Sequence, residues 1–364
     1  MNIILFFASD FKIGLSSLLT DQLIALFKRG LNIVAIAGDN EQEKGLSQLI
    51  ADNSISIIRI NGLDEHHGFK QLSMKIAEII RKYNVQIIHV QNNWQLALVS
   101  YAKYVLCNDR LIKVVYTLHG FRHNNPLKAF VARIIIGIAL FCLVDRVICM
   151  SQFLKSKFFF LSYKIELLPL GISDSYFTNQ HNIHIDNGLQ MIFPAEFRKG
   201  KNQKKLLYAF ARHIKSTNDM QSHLILPGSG VLLKDMMSLS DKLGISNRVS
   251  FPGQCTKEKI KELYLNCNIG LVSSNSETYG QSIVEPFVLG RCVISTSVGI
   301  APDIILQGEN GFIYKNEDEL VSIMKRLYYD PSLMLKCGKR AYNNSKMFKW
   351  EEICMQYKSM IDKL

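Results

Sequence analysis

Short, uninterrupted apolar runs alternate with amphipathic stretches along this chain, and the alternation is played through twice. Ile3 to Ala8, Asn32 to Gly38, Ile55 to Ile60, Ile87 to Val90, Val114 to Leu118 and Val147 to Met150 form a first series. Gln190 to Pro194, His223 to Leu226, Val249 to Phe251, Ile269 to Val272, Val293 to Ser295 and Gly311 to Tyr314 form a second. A strand that is apolar throughout has to be covered on both faces, the condition met by a parallel sheet flanked by helices. The pattern therefore predicts two successive doubly wound α/β units. Ligands of such sheets bind beyond the carboxyl ends of the strands. Between the series, from Thr178 to Gly188, the chain turns polar and reads as a linker. This places an N-terminal domain at 1–178, a C-terminal domain at 189–345 and a charged amphipathic tail helix at 346–364.

Other classes are excluded by composition. At 364 residues there is room for two separate cores. A hydrophobic content of 48% with only 8 prolines argues against long disordered tracts. The 8 cysteines include no C-x-x-C pair and no zinc-ligand spacing with histidine, so they read as reduced thiols of a cytoplasmic protein. The apolar start, Met1 to Ala8, lacks a basic segment before it and is ended by Asp10, which predicts a first strand rather than a signal peptide. The longest uncharged apolar run, Ile134 to Val144, falls well short of the roughly 20 residues that span a bilayer.

The richest stretch is Ser276-Glu277-Thr278-Tyr279-Gly280-Gln281-Ser282-Ile283-Val284-Glu285. It follows a strand-like run and opens a helix predicted over Ser282 to Leu289. Glu277 then sits in the loop at a strand's carboxyl end and Glu285 lies one to two turns into the helix. The free N–H groups of that helix's first turn, at Gly280, Gln281 and Ser282, offer a site for phosphate oxygens. Carboxylates beside an anion site suit a ligand that carries hydroxyls as well as phosphate, and a nucleotide sugar is such a ligand. Either carboxylate could also serve only to stabilise the helix dipole.

Glu277-x7-Glu285, followed by Gly290-Arg291-Cys292-Val293-Ile294-Ser295-Thr296 and Gly299-Ile300-Ala301-Pro302-Asp303-Ile304-Ile305, resembles the donor-site block of retaining glycosyltransferase family 4. Asp145 to Ser151 resembles the last N-domain strand of that family, Leu168 to Ile172 its domain crossover, and Tyr116-Thr117-Leu118-His119-Gly120 the strand that brings a histidine to the cleft. The resemblance covers nearly the whole chain. It implies the GT-B fold, with two Rossmann-like domains facing across a cleft and a C-terminal helix that crosses back to the N-domain.

The resemblance also implies roles. Glu285 would accept hydrogen bonds from the ribose, Glu277 would face the donor sugar, and His119 would line the reaction centre. Lys201, in Ala195-Glu196-Phe197-Arg198-Lys199-Gly200-Lys201-Asn202, would meet the diphosphate. Relatives usually carry an arginine where this chain has Glu196, so Arg198 or Lys199 is expected to supply the second cation, with Arg198 preferred. Gly14 would let backbone approach the diphosphate; its usual glycine partner is missing. Asp303 stands where relatives often have glutamate, and Ile300 where they have glycine. Gly228-Ser229-Gly230 reads either as a pocket wall or as a plain turn, and the Gly253 loop is where relatives hold the base. Pro286 departs from the usual small residue and predicts a local kink.

No Asp-x-Asp triplet occurs, so no metal site and no cofactor is expected; cations and helix amides would do the electrostatic work. The expected reaction moves a sugar from a UDP- or GDP-linked donor to a saccharide, lipid-linked and part of a bacterial surface polysaccharide. A nucleotide-sugar epimerase of the same fold and a sugar-nucleotide-binding protein without turnover are the alternatives. The net charge of +12 fits an anionic membrane surface or a pyrophosphate-linked substrate better than nucleic acid, for which no binding motif is present. Two basic, aromatic stretches, Lys128 to Val144 and Phe153 to Leu161, are the candidates for touching a membrane from the cytoplasmic side.

Overall fold

The structure, a computed structural model, describes residues 3–8, 13–38, 52, 54–63, 65, 67–120, 126–177 and 188–364. The chain forms two compact units, one made of Met1–Gly171 with Phe348–Leu364 and the other of Ile172–Met347. Most of the predicted linker, 178–187, lies outside the described residues.

Seven parallel strands make the sheet of the first unit: β1 (Ile3–Phe7), β2 (Asn32–Ala37), β3 (Ser56–Arg59), β4 (Ile87–Val90), β5 (Lys113–Leu118), β6 (Arg146–Cys149) and β7 (Ile165–Leu167). Their order is β3-β2-β1-β4-β5-β6-β7, so the direction of winding reverses between β1 and β4. Alternation along β1 shows why both faces need cover. Leu5 and Phe7 enter one buried cluster with the helices Phe69–Lys82 and Asn93–Tyr101, whereas Ile4 and Phe6 enter the other with the helix Ile13–Lys28. Strand β7 is an addition to the six strands predicted for this unit.

The tail helix, Trp350–Ile361, belongs to the first unit although the whole second unit precedes it in sequence. Its buried face (Ile353, Tyr357, Met360, Ile361) completes the cluster around Ile4 and Phe6. The side chain of Trp350 fills the space above Gly171, where a β-carbon would come within 2.3 Å of the indole. The Tyr357 hydroxyl lies 3.0 Å from Nδ1 of His89 on β4, and the other ring nitrogen of His89 lies 2.7 Å from the Thr117 hydroxyl on β5. Burial, helped by the nearby His119, pushes the His89 imidazole down to about 3, so it stays neutral and bonded at both nitrogens.

The second unit repeats the plan with six parallel strands: β8 (Gln190–Ile192), β9 (His223–Ile225), β10 (Val249–Ser250), β11 (Ile269–Val272), β12 (Cys292–Thr296) and β13 (Gly311–Tyr314). Their order, β10-β9-β8-β11-β12-β13, reverses between β8 and β11. The helix after β11, Gln281–Val288, runs through Pro286 without a break. That proline lies flat on Gly270 of β11, whose missing side chain makes room for it: a β-carbon there would meet the ring at 2.4 Å. Helix and strand are closely packed at this point.

Removing the Tyr357 hydroxyl should test the anchoring of the tail helix. In Tyr357→Phe the buried His89 nitrogen loses its partner, a loss expected to cost about 1–3 kcal/mol. Thermal unfolding should show a lower melting temperature with an unchanged fold by circular dichroism. An unchanged melting temperature would mean that the imidazole is satisfied without the tail.

Candidate functional site

A cavity of about 370 Å³ opens where the winding of the second sheet reverses, beyond the carboxyl ends of β8 and β11. It is lined by Pro194 and Lys201 from the chain after β8, by Glu277 from the chain after β11, by Gly280, Gln281, Ser282 and Glu285 from the next helix, and by Cys255, Lys257 and Ile260. Diverging connections on either side of such a reversal leave a gap in an open α/β sheet, and that gap is the usual ligand position. Glu277, Gly280, Gln281, Ser282, Glu285 and Lys201 are all brought together here.

The two loops are tied to each other before any ligand arrives. Lys201 Nζ lies 2.5 Å from Glu277 Oε1, and the Ser274 hydroxyl donates to the same oxygen at 2.5 Å. Ser273 Oγ donates to the Lys201 carbonyl at 2.7 Å, the amide of Asn275 donates to the Gly200 carbonyl at 2.9 Å, and the side chains of Asn202 and Asn275 are hydrogen-bonded. Both partners of the ion pair are largely buried. Gly299 lies under this loop: a β-carbon there would meet the Tyr279 carbonyl oxygen at 2.2 Å and Cβ of Glu277 at 3.1 Å.

The helix Gln281–Val288 starts without a side-chain cap. Its N-cap is Gly280, at φ 98°, a left-handed backbone that a residue with a β-carbon adopts only under strain. Uncapped N–H groups and the positive end of the helix dipole therefore face the cavity, an arrangement suited to an anion. One turn further on, Glu285 sits in a drier place. Burial pushes its carboxyl up to about 7, with Lys257 pulling the other way. Behind it, burial and then the charge of Glu285 hold the Tyr264 phenol well above its ordinary range, and among the described residues its hydroxyl has no hydrogen-bond partner.

Arg198 is not brought to this cavity. It lies 2.9 Å from the carboxylate of Glu196 and, with Lys199, lines a different and larger cavity of about 710 Å³ between the helices Gln203–Thr217 and Leu233–Lys242. Lys201 is the cation of the 195–202 segment that reaches the site. Gly228-Ser229-Gly230 does not line the cavity either; it supports the segment from behind. The amide of Phe197 donates to the Ser229 carbonyl at 2.8 Å, and a β-carbon on Gly228 would lie 2.1 Å from the Ala195 carbonyl oxygen.

Lys257 and Ile260 were not singled out in the sequence. Lys257 is the first residue of a helix, Lys257–Leu265, capped by Thr256, and nothing in its spacing separates it from a solvated helix start. In the other unit, Gly14 lies in the first turn of the helix Ile13–Lys28. His119 follows β5, with Nε2 2.9 Å from Oε1 of Gln91. Among the described residues no group of three or more histidine, cysteine, aspartate or glutamate side chains could hold a metal ion.

Comparison with known proteins places both halves. Residues 14–175 match the family model for Glycosyltransferase Family 4, and residues 177–344 match that for Glycosyl transferases group 1. The N-acetyl-alpha-D-glucosaminyl L-malate synthase of Bacillus anthracis is 25% identical over 317 residues, covering 79% of this chain and 77% of that protein. Two solved structures are similar over the full length of both chains: Anabaena HepE in complex with UDP, at a TM-score of 0.81 and 18% identity, and the lipopolysaccharide outer core galactosyltransferase WaaB, at 0.77 and 14%. These likenesses show the GT-B fold.

The raised carboxyl makes stability depend on pH. Glu285 ionises near 4.5 in an ordinary setting and at about 7 here. Between those values the native state holds a proton that the unfolded state has lost, so its contribution to stability falls as pH rises and the loss is complete above about 7. Glu285→Gln cannot ionise and should melt higher than the wild type at pH 8, with the gap closing towards pH 4.5. A gap of equal size at both pH values would show that Glu285 does not titrate in this window.

Proposed function

The chain belongs to the family 4 glycosyltransferases, and on that premise we propose that it transfers a sugar from a UDP- or GDP-linked donor, with retention at the anomeric carbon, to a lipid-linked saccharide in bacterial surface polysaccharide synthesis. The observation that carries this reading is the convergence of Lys201, Glu277, Glu285 and the open helix start at Gly280 on one cavity at the reversal of the second sheet.

Breaking a nucleotide–sugar bond leaves a diphosphate whose negative charge grows in the transition state. Donors already fixed in place stabilise it best, because they need no reorganisation as the bond breaks. The amides of Gln281 and Ser282, together with Lys201, supply such donors. Glu285, one turn deeper, accepts hydrogen bonds from ribose hydroxyls. A partly buried carboxylate gains more from them than a fully exposed one would. Glu277 faces the sugar near its anomeric carbon, and its ion pair with Lys201 holds it in place.

The displaced diphosphate takes the proton of the incoming hydroxyl, so Glu277 need not act as a base. His119 and Gly14, in the N-terminal unit, are assigned to the reaction centre and to the diphosphate on the family resemblance. Arg198, paired with Glu196, is left out of the donor site, a revision of the sequence-based expectation. The UDP bound by HepE supports a nucleotide donor. WaaB, an enzyme of the lipopolysaccharide outer core, supports a surface-saccharide acceptor.

A thermal-shift screen against a panel of nucleotide sugars tests the donor, because a ligand of the native state raises the melting temperature. Release of the nucleoside diphosphate on adding acceptor tests turnover. No shift with any donor and no release would overturn the assignment. Lys201→Ala is expected to lower turnover by on the order of 10²–10³, and Arg198→Ala to leave it within about threefold, a surface ion pair being of little energetic weight. Comparable losses in the two variants would return Arg198 to the site. Activity should survive exhaustive EDTA treatment; a complete loss restored only by Mg²⁺ or Mn²⁺ would refute the metal-independent mechanism.

A further inference from the structure

The helix Pro126–Leu143 in the N-terminal unit is apolar on both sides. Leu140 is fully buried, and Ile136, Ala139 and Leu143 pack with it on the sheet. The opposite side carries Phe130, Ile134, Ile135, Ile138 and Phe141, each between 45% and 63% exposed; Phe130, Ile134, Ile138 and Phe141 follow one another at three or four residues along one outer face, with Ile135 beside them. Next to it, Phe158 is buried as an anchor while its neighbours Phe159 and Phe160 are 74% and 47% exposed. Phe160 lies across the helix at Gly137: a β-carbon on that glycine would meet the ring at 2.5 Å. The two segments, which the sequence shows as separate stretches, therefore form one surface. Monomeric soluble proteins rarely leave so large a contiguous apolar patch bare.

Charge selects what covers it. From Pro126 to Lys164 the sequence contains six cations (Lys128, Arg133, Arg146, Lys155, Lys157 and Lys164) and a single acid, Asp145. That acid is engaged elsewhere, with Lys113 and the amide of Val114. Arg133 lies over Phe130 at 5.3 Å and Lys157 over Phe153 at 4.8 Å, while Lys164, 5.4 Å from the Phe141 ring, donates to the carbonyls of Phe141 and Val144. A second copy of the same face would bring like charges together. An anionic bilayer offers acyl chains to the rings and phosphates to the cations. Because its inner face is committed to the core, the helix cannot leave the fold to span, and among the described residues no helix is long and apolar enough to cross a membrane.

We propose that the outer face of the helix Pro126–Leu143, continued by Phe159 and Phe160, docks flat on an anionic lipid bilayer. The proposal rests on the reading of a lipid-linked acceptor for its purpose: it would hold the N-terminal unit where such an acceptor is embedded. Its test needs neither donor nor acceptor. The purified full chain is sedimented with vesicles of phosphatidylcholine alone and with vesicles containing about a third phosphatidylglycerol.

The wild type should sediment with the anionic vesicles, less at high salt, and weakly with the neutral ones. Ile138→Ser combined with Phe159→Ser, both exposed positions, should lower the partition at least tenfold. Lys155→Glu with Lys157→Glu should abolish the preference for anionic lipid. Unchanged melting temperatures will show that the variants fold. Wild type that stays in the supernatant with every vesicle, or variants that sediment like the wild type, would overturn the proposal. So would a wild-type dimer that the Ile138/Phe159 variant converts to monomer, which would make the face a contact between copies. Donor-induced thermal shifts, read in the same preparations, report separately on the donor site.

Discussion

One ion pair joins the two segments from which the candidate site is built. Lys201 comes from the chain after β8 and Glu277 from the chain after β11, strands that are neighbours in the sheet but far apart in sequence. Their 2.5 Å contact closes the seam where the sheet reverses, and three further hydrogen bonds, joining Ser273 and Asn275 to the 200–202 segment, hold the same closure. A largely buried pair of this kind contributes little net stability, since desolvation offsets much of the attraction. Its importance lies in position. Losing either partner would strand a charge in a dry place and release the loop that carries the other.

The two carboxylates of the Glu-x7-Glu block end up in opposite surroundings. Glu277 accepts from a lysine and a serine hydroxyl; Glu285 sits where burial lifts its carboxyl to about 7. Divergent environments for two like groups are the usual way a site divides roles between them. A carboxylate already satisfied by its own protein can be held still beside a reacting centre. One that burial shifts towards its neutral form, at the wall of the cavity, is placed for a ligand that brings hydroxyls.

Much of this was legible in sequence because buried parallel strands show as bare apolar runs. All twelve predicted runs correspond to strands, and the helix of the Glu-x7-Glu block starts within a residue of its expected position. Strand β7 was invisible for the opposite reason: it is three residues long at a sheet edge, with Glu166 exposed in its middle. Arg198 shows another limit. Spacing places a cation in a loop, but whether its side chain turns to the site depends on local competition, and Glu196, two residues away, captures it. Lys257 reaches the site only because β10 and its following helix fold alongside, a long-range fact that no local pattern encodes.

The tail helix adds a constraint on assembly of the fold itself. Ile353, Tyr357 and Ile361 cover the face of β1 that Ile4 and Phe6 expose, and Tyr357 bonds to His89 on β4, so the N-terminal unit holds part of its core at the far end of the chain. Contacts of such sequence separation carry a loop-closure cost that grows only slowly with length, and a folded domain in between shortens the effective loop. The helix therefore docks most readily once the second unit has formed. The neutral, doubly bonded His89 then acts as a register mark: a helix displaced by one turn would set Ile353 or Ile361 in place of the Tyr357 hydroxyl and leave a buried imidazole nitrogen unsatisfied. Hydrophobic cover alone would tolerate several positions of an amphipathic tail. The hydrogen bond selects one.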